Sequence, residues 1–497
     1  MKLRCCSFYE LKKLVKSSDS KIIMFGAGAI GQVTAPEILR DLDLLSHVDC
    51  YLDNSEAKWG SFIEACGNSY EVKSPSYLEA CPSDTIILLN ISRFPDVIRQ
   101  LEGMPCTKDM TCFVMPMMLI HNFCSDASHG NVIISDEALI PKKLHYMWVG
   151  RKPLPENLKK CIESWKKYCP DYEVIEWNED NYDIEKHPYM KQAYDAGAYG
   201  FVPDYARIDI LYNEGGFYLD TDVELKRSID DLRYQKAFCG VEKWQIINFG
   251  GLSGSVKGNP MMKEFLDARG DVYFLNEDGS QNKNTCGFYD TRVALKHGYK
   301  IDGTSQAVGD INIYAYDYFQ PYDYMSGIIN ETDNTHSIHW FSGGWLDEKM
   351  KKANEEAKKV YMDLYHKAFG KVSNDDYDNR TITADINQLV LEPEFFHTVQ
   401  AFYEIQMWGA DNYNSAPREG LLIREMLQGN AVWESFTDNG VPVSKERLDQ
   451  IHQKIGYLIA HNFPQIAALC TIPIYVVFDH ADEKHNGLYR FATYSHA

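Results

Sequence analysis

The sequence predicts an α/β protein with a mainly helical C-terminal region, and three observations lead to that prediction. An apolar run, a glycine-rich turn, a helix and a second strand follow one another between residues 21 and 53. From residue 142 to residue 225, strand patterns alternate with helix patterns. Amphipathic helical patterns fill most of residues 393–469. We therefore expect three domains, at residues 1–130, 138–370 and 381–497.

The composition supports a globular protein and argues against one class of partner. The chain has 497 residues, which is long for one hydrophobic core, and 45% of them are hydrophobic. Its formal net charge of −21 argues against a general nucleic-acid binder, whose phosphate contacts need a basic surface. The charge does not exclude a nucleotide-sugar, because a bound cation can neutralise a diphosphate locally.

Cysteine usage and the N-terminal residues indicate a reducing, cytoplasmic environment. The 13 cysteines are scattered without a Cys-x-x-Cys pair, and the opening MKLRCCSFYELKKLVK is too charged for a signal peptide. No apolar run reaches the ~18 residues of a membrane-spanning helix. The most apolar run, Met110–Ile120, is expected to be a buried strand interrupted at Pro116.

The N-terminal domain carries a glycine pattern that is typical of nucleotide-binding turns. Gly26, Gly28 and Gly31 follow a strand as GxGxxG, and Asp53 ends the next strand. The glycines would let backbone N–H groups approach a pyrophosphate, and Asp53 could bind a ribose hydroxyl. The alternative is a Rossmann-like domain that keeps this turn for structural or regulatory reasons. Both interpretations stay open, so a nucleotide is a candidate cofactor here.

The second domain begins with a strand, a helix and another strand. The segment KKLHYMWVG is expected to form a buried strand that ends at Trp148. A helix is expected over 157–168, and a second strand from Tyr172 to Trp177. Ligands in sheets of this kind bind at the carboxyl ends of the strands. Trp148 is therefore a candidate ligand contact.

The stretch from Pro203 to Glu224 is the centre of the prediction. A helix starting at Pro203 would carry Asp204 and Arg207 on one face, because they are three residues apart. A strand is expected from Phe217 to Leu225, with Asp220 and Asp222 on one face. Two carboxylates this close favour a cation between them, and Mg²⁺ or Mn²⁺ prefers such oxygen ligands together with substrate phosphates.

This stretch, PDYARIDILYNEGGFYLDTDVE, resembles the DXD core of glycosyltransferase family thirty-two and of the large clostridial glucosylating toxins. KKLHYMWVG, SWKKYCPDYEVIEWNEDNYD and SIHWFSGGW extend the resemblance in the family order. It implies a GT-A-like fold with Mn²⁺ or Mg²⁺ on Asp222 and Asp220. It also implies base stacking on Trp148.

The late segment HSIHWFSGGW would fold over the donor phosphates in such a family. His339 would then contact the metal or a phosphate, and Ser342 and Trp345 would contact the donor. The family often has a serine directly before the tryptophan, whereas this chain has Gly343-Gly344-Trp345.

Further candidates come from the residues around this core. Tyr218 would line the same pocket, and Asp204 and Arg207 would hold donor-sugar hydroxyls. The Gly- and Ser-rich run that begins at Asn248 is expected to be a flexible loop on the acceptor side. The tyrosine-rich run 314–327 offers flat amphipathic surfaces for sugar rings, or simply the edge of an aromatic core.

These expectations describe a metal-dependent, DXD-type hexosyltransferase. The donor would be a nucleotide-diphosphate sugar, with a UDP-sugar favoured, and the resemblance implies retention of anomeric configuration. The acceptor would be a glycan or lipid-linked oligosaccharide in bacterial surface polysaccharide synthesis, at the inner membrane face. The alternatives are a toxin-like effector that glycosylates a protein, a nucleotide sensor or dehydrogenase acting through the N-terminal domain, and a non-catalytic carbohydrate-binding protein.

Overall fold

The structure is a computed structural model in which the chain forms two compact units, residues 1–5 with 11–362 and residues 6–10 with 363–497. The residues it describes are 1–4, 8–122, 132–277, 279–282, 284, 286–325, 327, 329, 331–342, 352, 355, 358–361, 381–385, 437–438, 441–442, 474–477 and 488–493. The chain is a mixed α/β protein, as the sequence predicts. None of the helices in these residues combines the length and apolar character needed to cross a bilayer.

The first sheet has seven strands in the order β1-β7-β6-β2-β3-β5-β4. Its strands are β1 (Lys2–Arg4), β2 (Ile22–Phe25), β3 (Val48–Leu52), β4 (Phe62–Ala65), β5 (Asn68–Lys73), β6 (Ile86–Leu89) and β7 (Thr111–Val114). All neighbouring strands are parallel except β4 and β5. β2 and β6 are buried over their whole length, as expected for parallel strands covered on both faces.

The glycine turn that follows β2 leads into a π-helical turn over Ile30–Thr34. Gly31 packs so close to the turn that an added Cβ would lie 2.1 Å from the Gly26 carbonyl oxygen. At the end of this segment the Thr34 hydroxyl donates a hydrogen bond to the Trp244 carbonyl oxygen at 3.0 Å. This bond joins the first sheet to a hairpin turn of the second.

The second sheet has eight strands in the order β15-β16-β12-β14-β10-β8-β9, with β13 paired to β12. The strands of this part are β8 (Lys143–Met147), β9 (Glu173–Trp177), β10 (Gly216–Tyr218), β11 (Val223–Leu225), β12 (Ala237–Val241), β13 (Ile247–Asn248), β14 (Ser253–Ser255), β15 (Gln306–Val308), β16 (Ile311–Tyr314) and β17 (Ser337–His339). β9, β8 and β10 are parallel, so their carboxyl ends share one edge. β11 and β17 form a separate two-stranded sheet.

The helices confirm several sequence-based bounds. They are α1 (Phe8–Ser18), α2 (Ala35–Asp41), α3 (Phe94–Glu102), α4 (Met115–Asn122), α5 (Glu156–Tyr168), α6 (Pro188–Asp195), α7 (Pro203–Glu214), α8 (Pro260–Asp267), α9 (Cys286–Lys296) and α10 (Tyr316–Phe319). α5 and α7 match the predicted helices within a residue, and Gly215 ends α7 with a φ of +66°. The apolar run at Met110–Ile120 is not one strand, because it divides into β7 and α4.

The predicted continuous strand from Phe217 to Leu225 is wrong. β10 ends at Tyr218, and the Val223 N–H donates to the Asp220 carbonyl at 3.1 Å, which closes a turn. The chain then leaves the large sheet, and β11 pairs with β17 instead. Asp220 and Asp222 therefore lie in a turn at the carboxyl end of β10 rather than on one face of a strand.

The expected flexible loop from Asn248 to Gly258 is also wrong over most of its length. Asn248, Ser253 and Ser255 are buried, and the segment contains the buried strand β14. Small residues are needed for packing here, since a Cβ on Gly254 would lie 2.6 Å from the Phe238 ring. The glycine and serine content reflects close packing in the sheet, not exposure.

The described residues of the second unit beyond 363 form strands. β18 (Thr381–Asp385), β22 (Leu488–Thr493) and β21 (Ile474–Val477) form an antiparallel sheet, and β19 (Thr437–Asp438) pairs with β20 (Val441–Pro442). The amphipathic helices predicted around 393–408, 416–435 and 444–469 lie outside the described residues.

Candidate active site

The first turn of α7 presents a carboxylate and a guanidinium as an ion pair. Arg207 Nη2 lies 3.1 Å from Asp204 Oδ1 and 3.3 Å from Asp220 Oδ2. The Tyr189 hydroxyl donates to the other Asp204 oxygen at 3.2 Å. The side chain of Arg207 is 6% exposed, so its charge acts at low dielectric and fixes both carboxylates.

Asp220 lies against a backbone position where only glycine fits. Its N–H donates to the Gly250 carbonyl at 2.8 Å. A Cβ at position 250 would lie 2.2 Å from Asp220 Oδ2 and 3.0 Å from Arg207 Nη1. Gly250 is a residue that the sequence analysis missed, because a Gly-Gly pair does not reveal what it approaches.

The pairing of β11 with β17 brings His339 to Asp222. In this register Val223 lies opposite His339, so the preceding Asp222 lies beside it. His339 Nε2 is 3.2 Å from Asp222 Oδ1 and 4.0 Å from Asp220 Oδ2. The Ser342 N–H donates to Asp222 Oδ2 at 2.7 Å. Two groups from a late segment, the His339 imidazole and the Ser342 N–H, thus meet the Asp-x-Asp turn.

Electrostatics favour a charged Asp222–His339 pair. Burial alone would raise the pKa of Asp222, but His339 and the Ser342 N–H lower that pKa to about 2. Burial would lower the pKa of His339, yet the Asp222 and Asp220 carboxylates raise it. Burial also raises the pKa of Asp204, against the attraction of Arg207. Three carboxylates, Asp204, Asp220 and Asp222, thus share two positive groups, Arg207 and His339, and a metal cation could add to that charge.

Trp148 and Tyr218 lie at the same edge of the sheet. Tyr218 pairs with His145 across β10 and β8, and Trp148 follows β8 directly. The Trp148 indole N–H donates to the Lys152 carbonyl at 2.6 Å, and its ring is partly exposed. Tyr218 is fully buried, with its ring 5.9 Å from the Arg207 guanidinium. A partly exposed indole suits stacking, whereas the buried Tyr218 packs beneath the ion pair.

Asn248 has a structural position rather than a place in a mobile loop. Its side-chain Nδ2 donates to Glu242 Oε1 at 3.0 Å, and its side-chain Oδ1 accepts from the Gly250 N–H at 2.7 Å. Asn248 therefore connects Glu242 to the Asp220 position. Glu242 is a second residue that the sequence analysis missed, although a carboxylate that directly follows a buried strand was a signal that could have found it. Trp345 lies outside the described residues.

Asp220, Asp222 and His339 are the side chains that could hold a divalent cation. Two carboxylates and an imidazole are donors that Mn²⁺ accepts. His339 Nε2 is the nitrogen that faces the carboxylates, because it lies 3.2 Å from Asp222 Oδ1. The other ring nitrogen, Nδ1, is buried without a hydrogen-bond partner among the described residues. No three His, Cys, Asp or Glu side chains of the described residues form a ready metal cluster. The donor chemistry fits, and a cation would replace the positive charge that His339 now supplies to Asp222.

The N-terminal glycine turn engages its own acidic residue. Asp53 accepts hydrogen bonds from the Ala27 N–H at 3.0 Å, the Ser55 N–H at 2.9 Å and Lys58 Nζ at 2.8 Å. Packing explains two of the glycines, since a Cβ on Gly26 would lie 3.1 Å from the Asn90 backbone and Gly31 abuts the turn. Gly28 differs, because nothing lies within 4 Å of an added Cβ there.

Comparisons with known proteins match the part of the chain that builds this site. Residues 155–239 match the family described as glycosyltransferase sugar-binding region containing DXD motif. That range includes Asp204, Arg207, Asp220 and Asp222. The match supports a transferase enzyme.

Curated relatives agree with this match. Inositol phosphoceramide mannosyltransferase 2 of Schizosaccharomyces pombe is 32% identical over 199 residues, which are 35% of this chain and 57% of the relative. Inositol phosphoceramide mannosyltransferase 3 of the same yeast is 28% identical over 145 residues, covering 28% of this chain and 40% of the relative. Subversion of eukaryotic traffic protein A of Legionella pneumophila is 23% identical over 235 residues, covering 41% of this chain and 35% of the relative. The chain thus spans roughly a third to three fifths of their lengths.

One solved structure, PaToxG Glycosyltransferase, is 22% identical in sequence, and the match covers 32% of this chain and 69% of the PaToxG chain. Its TM-score is 0.27, at which the likeness carries no argument about the fold.

Proposed function

We propose that the chain is a metal-dependent glycosyltransferase of GT-A-like fold that moves a sugar from a nucleotide-diphosphate sugar to a glycan acceptor. One observation carries the proposal: two chemically distinct pairs meet at one turn. Asp222 pairs with His339 at 3.2 Å, and Asp220 pairs with Arg207 at 3.3 Å. The first pair suits a cation and its phosphates, and the second suits sugar hydroxyls.

In this proposal, different residues bind the cation, the donor sugar and the base. Asp222, Asp220 and His339 would hold Mn²⁺ or Mg²⁺, which when bound offsets the charge of a departing diphosphate. Asp204 and Arg207 would orient the donor sugar, with their geometry fixed by mutual charge and by Tyr189. Trp148 would stack on the base, and the segment that carries Ser342 would cover the phosphates.

The finer parts of the proposal follow from the resemblance. The reaction retains anomeric configuration, the acceptor proton passes to the leaving phosphate oxygen, and UDP-sugars are favoured. The acceptor is a lipid-linked glycan of a bacterial surface polysaccharide, which the enzyme meets from the cytoplasm at the inner membrane face. A toxin-like effector would use the same chemistry on a protein, and an acceptor screen separates the two.

The decisive experiment is donor hydrolysis with purified protein across UDP- and GDP-sugars. GDP-mannose belongs in the panel because three relatives are named mannosyltransferases. We expect one donor to be hydrolysed with Mn²⁺, and EDTA or Asp222→Asn to remove hydrolysis. Asp96→Asn, a carboxylate on α3 that is 57% exposed, is the matched control. Hydrolysis that survives both EDTA and Asp222→Asn would refute the metal role.

A second candidate function is nucleotide binding at the turn of Gly26, Gly28 and Gly31. The open space at Gly28 favours it, and Trp59 next to Lys58 is 39% exposed and bonded to the Asp53 carbonyl. Titration with NAD is expected to change the tryptophan fluorescence, and Trp59→Phe should remove that change. An unchanged spectrum would leave the turn with a structural role only.

A further inference from the structure

The segment that directly follows β9 has no part in the proposed function, although it lies in the stretch SWKKYCPDYEVIEWNEDNYD that extends the family resemblance. It carries two consecutive acidic residues, Glu179 and Asp180. β8 and β9 are parallel neighbours, and Met147 pairs with Trp177 at their carboxyl ends. The acidic segment therefore emerges beside residues 148–152, which we call the Trp148 loop.

The Trp148 loop has an unusual backbone. Gly150 has a φ of +94° and Arg151 has a φ of +54°, so two consecutive residues are in left-handed conformations. Such a conformation is uncommon for a residue with a side chain, as at Arg151. The Trp148 indole N–H donates to the Lys152 carbonyl at 2.6 Å, which ties the ring to the far end of the same loop. The orientation of the ring thus depends on how this loop is held.

Glu179 holds the Trp148 loop at its centre. The Gly150 N–H donates to Glu179 Oε1 at 2.6 Å, and the Tyr194 hydroxyl donates to the same oxygen at 3.0 Å. Burial alone would raise the pKa of Glu179, but its own N–H, the Gly150 N–H and the Tyr194 hydroxyl lower that pKa. The carboxylate is therefore ionised, and a hydrogen bond to an ionised acceptor is stronger than one between neutral groups.

A tyrosine ring packs directly against the same glycine. A Cβ at position 150 would lie 2.6 Å from Cδ2 of the Tyr199 ring. The Tyr194 ring lies 5.2 Å from the Tyr199 ring, so Tyr194 contacts Glu179 through its hydroxyl and Tyr199 through its ring. A side chain at position 150 would have to displace either the loop or Tyr199.

Asp180 makes a weaker contact with the same loop. Its Oδ1 lies 2.9 Å from Arg151 Nη2, but the Asp180 and Arg151 side chains are 72% and 62% exposed. An ion pair this exposed contributes little, because water screens both charges. Of the two neighbouring acids, Glu179 is the one that fixes the loop, and Asp180 offers a matched comparison.

We propose that Glu179 is a positioning residue for nucleotide binding. Its carboxylate holds the Gly150 N–H, and the loop so fixed presents the Trp148 ring to the base of the donor. Glu179 acts through the Trp148 loop and needs no contact of its own with the nucleotide. This inference rests on the proposed function, in which Trp148 stacks on the base, and adds the residue that orients Trp148.

The test measures binding of UDP and GDP to the full chain by isothermal titration calorimetry with Mn²⁺, together with donor hydrolysis. Glu179→Ala should weaken binding about tenfold, the loss of one charged hydrogen bond, and should leave kcat near the wild-type value. Glu179→Gln should stay within about threefold of wild type, because its amide oxygen can accept the same bonds. Asp180→Ala is the matched control and should bind like wild type.

A double variant tests whether Glu179 acts through Trp148. Trp148→Ala should weaken binding by itself, and adding Glu179→Ala should then cause little further loss, because the ring that Glu179 orients is already absent. If Glu179→Ala does not fold, Gly150→Ala displaces the same loop and should also weaken binding.

Three results would overturn the proposal. Glu179→Ala, or Gly150→Ala in its place, keeps the wild-type affinity; or the losses of Glu179→Ala and Trp148→Ala add in full; or Glu179→Gln loses as much affinity as Glu179→Ala. The last result would show that the charge of Glu179 contacts the nucleotide directly. A wild-type chain that binds neither nucleotide and hydrolyses no donor refutes the proposed transferase and this inference with it. Normal binding and hydrolysis in both wild type and Glu179→Ala refutes the role of Glu179 alone.

Discussion

Replacing Gly250 by alanine tests whether the position of the Asp220 carboxylate controls catalysis. The new Cβ would lie 2.2 Å from Asp220 Oδ2, and contacts below 3.0 Å are essentially never observed. The carboxylate or the 250 backbone must therefore retreat by about 1 Å, and a shift of that size commonly costs about 10²-fold in rate. Arg207 shares the strain, since the same Cβ would lie 3.0 Å from its Nη1.

The assay is donor hydrolysis with Mn²⁺, from which kcat/KM is measured. We expect a loss of about 10²-fold, which corresponds to about 2.7 kcal/mol of transition-state stabilisation. Gly103→Ala at the exposed end of α3 is the matched control, because its Cβ would meet only backbone oxygens at 3.3 Å and beyond. If Gly250→Ala folds and hydrolyses the donor at the wild-type rate, the Asp220–Arg207 geometry does not matter for the reaction.

Two further predictions concern the base site and the first sheet. Trp148→Ala should raise the donor KM far more than it lowers kcat, because a partly exposed stacking face contributes to binding; an unchanged KM would make Trp148 a core residue. Burial would raise the pKa of Asp53, but its bonds to Lys58, Ser55 and Ala27 lower it overall, so its stabilisation is present above the unfolded value of about 3.9 and is lost as the pH falls through the folded value. The melting temperature of Asp53→Asn should therefore lie below wild type at pH 7 and approach it in acid; a constant difference would contradict this.

Local patterns predicted the elements whose signals lie within one segment. α7 has proline at its start and glycine at its exit, and β8, α5 and β9 show clear periodicity, so these elements were predicted within one or two residues. Asp220 and Asp222 were found for a reason that proved partly wrong. They lie in a turn because the chain leaves the large sheet after β10, and β11 pairs with β17, more than 100 residues later. The alternation of apolar and polar residues in one segment cannot reveal a partner strand so distant in the chain.

The residues that sequence reasoning missed act through contacts that are distant in the chain. Gly250 matters because of Asp220 and Arg207, and Glu242 matters because it accepts a hydrogen bond from the Asn248 side chain, which in turn bonds to the Gly250 N–H. Gly250 carries no local sign of such a role, whereas the local sign of Glu242 is its place directly after the buried strand β12. The glycine- and serine-rich run around Asn248 predicts a mobile loop, but in the structure these small residues allow close packing in the sheet.

The bond between Thr34 and the Trp244 carbonyl has a practical consequence for dissecting the chain. Trp244 belongs to the tight turn between β12 and β13, where Gln245 has a φ of +62° and its N–H bonds back to Glu242. A fragment cut to the predicted second domain, residues 138–370, would lack Thr34, and the hairpin that carries Glu242 and Lys243 would lose this hydrogen bond. The first sheet thus contributes a hydrogen bond to the second sheet, whether or not the glycine turn binds a nucleotide. Expression plasmids should therefore encode both sheets.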